Sequence, residues 1–102
     1  MSPQKPNHPA TADRLHAVVH GHVQGVNFRY YTQLRAGELG VDGWVANRPD
    51  GSVEVVAEGS PHALTELLAF LRTGPSLAQV DEIDLQWETA TGEFSGFRTR
   101  YL

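Results

Sequence analysis

Cysteine is absent from the 102 residues, which excludes disulfides, zinc–thiolate centres and thiol nucleophiles together and favours a cytoplasmic address. Basic residues are scarce. Eight Lys and Arg stand against 12 Asp and Glu, for a formal charge of −4, the wrong sign for a chain that must neutralise phosphates along a polymer. Nucleic acid is therefore not an expected partner. No apolar run approaches the roughly 20 residues that cross a bilayer. The opening segment MSPQKPNHPATAD also lacks the apolar stretch of a secretory signal, so no membrane partner is expected. At roughly 100 to 200 residues per domain the length holds one domain, and a monomer is the expectation at this size. What is present, 40% apolar and 20% charged residues, is ordinary globular composition. Residues 1–13 carry three of the six prolines and read as a disordered tail, which leaves 14–102 as the domain.

Hydrophobic periodicity supplies the elements. Leu15, Ala17 and Val19 alternate with His16, Val18 and His20, the period of a half-buried strand. Phe28, Thr32, Ala36 and Leu39 recur at helical spacing and predict a helix over about 28–39, with Gly40 placed to end it in a left-handed conformation. Val41, Gly43 and Val45 alternate with Asp42, Trp44 and Ala46 as a second strand, and Arg48-Pro49-Asp50-Gly51 is a turn by composition. A third strand follows with Val53, Val55 and Ala57 inward and Glu54 and Glu58 on the opposite face. Ser60 is a helix cap, Pro61 suits the first helical position, and Leu64, Leu67, Leu68 and Leu71 form an apolar stripe. Ile83, Leu85 and Trp87 alternate in a fourth strand. A short fifth would carry Phe97, Thr99 and Tyr101 on one face and Arg98 and Arg100 on the other, its pairing left open.

The order β-α-β-β-α-β matches an α+β, ferredoxin-like α/β sandwich, an antiparallel sheet with both helices on one face and the other face wet. With the strands in the order 4-1-3-2, the first and second strands run parallel with the third between them. Their C-terminal ends then lie about 9 to 10 Å apart at the usual strand spacing.

After the first strand comes Gly21-His22-Val23-Gln24-Gly25-Val26-Asn27-Phe28-Arg29, a two-glycine loop running into a helix N-terminus. Such a loop turns backbone N–H groups inward, and the helix end adds about half a positive charge, so together they make an anion cradle. Arg29 on the first turn can grip two phosphate oxygens at once. At the end of the second strand stands Asn47, which both donates and accepts hydrogen bonds and so suits a water. On spacing alone a plain connection, a solvated arginine and an asparagine serving the turn are the stronger readings; convergence at one sheet edge raises the functional reading level with them.

The segments GHVQGVNFR, GWVAN and DGSVEVVAEG, with a GP pair after the second helix and an F-x-x-x-Y ending, resemble the acylphosphatase family from Arg14 to Leu102. That resemblance implies the ferredoxin-like fold and the hydrolysis of acyl phosphates to a carboxylate and inorganic phosphate. It implies that Arg29 binds the phosphate together with backbone amides of Val23, Gln24, Gly25, Val26, Asn27 and Phe28, and that Asn47 orients the attacking water. A carboxylate whose conjugate acid has a pKa near 4 departs without a general acid, so no acid–base pair, metal or cofactor is expected. The alternative from the residues is a non-catalytic module that binds a small anionic ligand, for which Asn47 would have no use.

Two other clusters lie outside that constellation. His16 and His20 share a strand face but lie about 13 Å apart at 3.3 Å per residue, too far for one metal ion. Trp44, Trp87, Tyr30, Tyr31 and Tyr101 read as packing and sheet-face residues and not as a platform for bases.

Overall fold

The computed structural model describes residues 13–102. The expected tail lies outside the described residues except for Asp13, which opens the first strand opposite Gly59. Along the chain come β1 (Asp13–His22), α1 (Phe28–Leu39), β2 (Asp42–Asn47), β3 (Val53–Gly59), α2 (Pro61–Thr73), β4 (Gln79–Thr89) and β5 (Phe97–Thr99). The sheet order is β4-β1-β3-β2-β5, so the predicted 4-1-3-2 arrangement is present with β5 added beyond β2.

β1 is antiparallel to both β3 and β4, and β3 is antiparallel to β2. β5 runs parallel to β2, with Gly43 opposite Phe97 and Val45 opposite Thr99, which makes the sheet mixed at that edge. The reason lies in the connection. β4 finishes at the end of the sheet where β2 starts, with β1 and β3 between them, and residues 90–96 cross the outer face of the sheet to the far edge. Gly96 donates its N–H to Asp42 Oδ1 at 2.9 Å and accepts from the Gly43 N–H at 2.9 Å. From there β5 can only run in the direction of β2, which carries Thr99 and Tyr101 toward the end of the sheet where β1 and β2 finish.

Gly43 makes this three-way contact possible. Its φ is +144°, and a Cβ at this position would stand 1.9 Å from the carbonyl oxygen of Val56, so only glycine lets β2 lie this close to β3.

The helices cover one face. Leu15, Ala17, Val19, Val45, Val53 and Val55 of the sheet are fully buried against Phe28 of α1 and Leu64, Leu67 and Leu71 of α2, each large side chain contributing roughly 1.5 to 3 kcal/mol by leaving water. Ser60 caps α2 as expected, its Oγ accepting from the Ala63 N–H at 3.2 Å, with Pro61 at the first turn.

The opposite face is not uniformly wet. Glu58, expected to be solvated there, is only 5% exposed, because the 90–96 connection lies over it. Its carboxylate accepts from the backbone N–H groups of Thr91 at 2.8 Å and Gly92 at 2.9 Å and from Arg14 Nε at 2.8 Å. Burial pushes this carboxyl up, and the N–H donors with Arg14 and the Thr91 hydroxyl more than offset that, so it titrates below the ordinary glutamate value. A buried charge is tolerated here because it is fully hydrogen-bonded.

Candidate active site

The β1–α1 connection, residues 23–27, is shaped by two left-handed positions. Gly25 has φ +78° and Asn27 φ +65°. Asn27 is the one non-glycine residue with positive φ among the described residues, and asparagine tolerates this region better than other side chains. Alternation through such conformations turns successive N–H groups toward one concavity.

Asn27 is also the N-cap of α1, yet its side chain accepts no cap hydrogen bond, and the first turn holds no acidic residue. The contrast with α2 is instructive, since Ser60 there satisfies one of the orphan donors. At α1 the leading N–H groups and the positive end of the helix dipole are left for an external anion.

Arg29 follows one residue into the helix. Its guanidinium carbon sits 5.4 Å from the centroid of the Tyr101 ring, and it enters no ion pair among the described residues, unlike Arg14, Arg35 and Arg48. An arginine resting on an aromatic face without a carboxylate partner keeps its donors available. Across the sheet end, Asn47 closes β2 opposite Val53 of β3 and is half-buried. Two strand spacings separate the ends of β1 and β2, as the topology predicts.

A single open cleft of about 330 Å³ joins these parts. Val23, Gly25, Asn27, Phe28 and Arg29 line one side and Asn47 another. Gln24 and Val26, two of the six loop residues predicted to present amides, do not line it. The Val26 side chain packs into the core, and the Gln24 side-chain amide is turned onto the β2–β3 hairpin, donating to the carbonyl oxygens of Arg48 at 2.8 Å and Ser52 at 2.9 Å.

Four further residues line the cleft, Tyr30, Gln33, Thr99 and Tyr101, with the Thr99 hydroxyl donating to Gln33 Oε1 at 2.7 Å. The sequence pattern assigns the tyrosines packing and sheet-face roles and does not single out Gln33. A signal existed for Gln33, which stands four residues beyond Arg29 on one helix face; Thr99 and Tyr101 could be found only once β5 is known to run parallel to β2. His16 and His20 are elsewhere. On the outer sheet face His16 lies 2.6 Å from Glu54 and His20 2.9 Å from Asp84.

Residues 15–99 match the family model for acylphosphatase. This chain belongs to the acylphosphatase family. Acylphosphatase of Mycolicibacterium smegmatis is 49% identical over 87 residues, which cover 85% of this chain and 89% of that protein. The Thiobacillus denitrificans acylphosphatase is 52% identical over 84% of this chain and 94% of its own length. Among solved structures, an acylphosphatase from Coxiella burnetii superposes with a TM-score of 0.85 at 34% identity, covering 94% of this chain and all of that one. As an acylphosphatase the chain is a hydrolase of acyl phosphates, its substrate a small molecule and inorganic phosphate a product.

Proposed function

We propose that the cleft performs this hydrolysis without metal or cofactor, by positioning and charge stabilisation. The observation that carries the proposal is the single cavity that joins the α1 N-terminus, Arg29 and Asn47. Backbone N–H groups of the loop, Val23 to Phe28, and the Arg29 guanidinium hold the phosphoryl oxygens. Asn47 holds the attacking water in line with the leaving carboxylate.

Water attacks phosphorus, the P–O bond to the acyl group breaks, and that oxygen leaves with the bonding electrons as a carboxylate. The water's proton passes to a phosphoryl oxygen of the substrate. No protein acid is needed, since a carboxylate is a stable leaving group, and charge spread over the phosphoryl oxygens is what the cradle stabilises.

The test is turnover of benzoyl phosphate by the purified chain in excess chelator. Arg29→Ala is expected to raise the inhibition constant of inorganic phosphate and to slow turnover, with Arg29→Lys restoring only part, because a lysine cannot make the bidentate contact. Asn47→Ala is expected to lower kcat by about 100-fold or more while phosphate still binds. The pH–rate profile should require no enzyme base titrating near neutrality. A folded wild-type chain that binds phosphate without turning over benzoyl phosphate would overturn the mechanism and leave an anion-binding module.

We assign the protein to the cytoplasm as a monomer. The absence of cysteine supports the address and the small single sheet supports the monomer; no helix among the described residues is long and apolar enough to cross a membrane. Sedimentation at micromolar concentration checks the oligomeric state.

A further inference from the structure

The geometry points to Gln24 as a positioning residue that sets the distance between the anion cradle and Asn47. The inference rests on the hydrolase reading and deepens it. Gln24 lies inside the loop, between Val23 and Gly25, both of which line the cleft. Its side chain leaves the cleft and spans to the hairpin. Both hydrogens of one amide nitrogen are used, one on the carbonyl of Arg48 at 2.8 Å and one on that of Ser52 at 2.9 Å.

Those two carbonyls have a particular place. Arg48 follows Asn47 and Ser52 precedes Val53, and Asn47 and Val53 are the last paired residues of β2 and β3. The amide therefore straddles the mouth of the hairpin immediately beyond the residue that holds the water. The hairpin itself is stiff. The Arg48 N–H donates to the Ser52 carbonyl at 2.9 Å, the Gly51 N–H to the Arg48 carbonyl at 3.1 Å, and Asp50 Oδ1 accepts from both the N–H and the hydroxyl of Ser52. Each carbonyl that Gln24 grips is already an acceptor within the turn, and Gln24 takes its second lone pair.

The glycine-bearing loop thus acquires a fixed offset from the strand end that carries Asn47. In-line attack depends on that offset, since a displacement of about 1 Å can cost about 100-fold in rate. The Gln24 side chain does not line the cleft and acts through Asn47.

The experiment compares Gln24→Met, which keeps the length and removes both donors, with wild type, Asn47→Ala and the double variant. Readouts are kcat on benzoyl phosphate, the inhibition constant of inorganic phosphate and a melting curve. The expected result is a fall in kcat of about 10- to 100-fold with the phosphate constant within about threefold of wild type. In the Asn47→Ala background the same change should cost less than about twofold, because the two residues act as one unit.

Full kcat in Gln24→Met overturns the inference, as do losses that multiply in the double variant or a phosphate constant that rises as far as kcat falls. Should Gln24→Met not fold, Gln24→Asn keeps the donors but falls one methylene short, and the same pattern is expected of it. Failure of both to fold would make Gln24 an element of the fold and overturn the positioning role. An inactive wild-type chain would overturn the hydrolase mechanism itself, a result distinct from an active wild type with an unaffected Gln24→Met.

Discussion

Asn27 shows how much of this site is backbone. It holds φ +65° at the start of α1, a conformation that costs an alanine roughly 1 to 2 kcal/mol. Asn27→Ala is accordingly expected to lower stability by about 1 kcal/mol, or roughly 4 to 8 °C in melting temperature, whereas Asn27→Gly should stay near wild type. Equal melting temperatures for the two variants would contradict the conformational account. Arg29, Asn47 and the loop were legible as residue types, since a glycine-bearing turn, a helix start and a guanidinium are local features. The orientation of Gln24 was not. Nothing in its neighbours says that a side chain between two cleft-lining residues turns away to a hairpin 24 residues on.

Among the elements, the 90–96 connection carries more than its composition suggests. It crosses the outer face, buries Glu58 and delivers β5 to the edge of β2. Glu58 links that arrangement to pH. Its folded value lies below the unfolded one, so its contribution to stability is complete above about pH 4.3 and fades as pH falls through that value toward the folded one. Urea midpoints measured between neutral pH and pH 3 should therefore fall more steeply for wild type than for Glu58→Gln, which starts lower at neutral pH. Parallel slopes would remove Glu58 from the acid response. The helices and the first four strands were legible because each has its own hydrophobic period, with α1 and β2 found where the spacing placed them. Glu58 was read as solvated because alternation reports which face a side chain takes, and not what later chain lies over that face.

For the whole molecule, the three buried α2 leucines beneath the sheet are the simplest lever. Leu67 is fully buried, and Leu67→Ala should destabilise by about 2 to 5 kcal/mol through lost burial and the cavity left behind. Its urea midpoint should drop with an unchanged slope, while the phosphate inhibition constant measured at low temperature stays put. A change below about 0.5 kcal/mol would mean that the core refills the space. Strand order was legible at this scale because the β-α-β-β-α-β sequence of elements leaves few topologies. The parallel pairing of β5 was not, since a strand of three residues carries too short a pattern to declare a partner.

The interior position of β1 has a consequence in time. Its two ladders join Asp13 to Gly59 on one side and to Thr89 on the other, so the strand made first must wait for partners encoded far downstream. Closing those long loops costs entropy before any pairing rewards it. Folding should accordingly run on the slow scale of milliseconds to seconds, typical of sheets built from non-local contacts, and the cradle that β1 leads into can form only when most of the sheet has assembled.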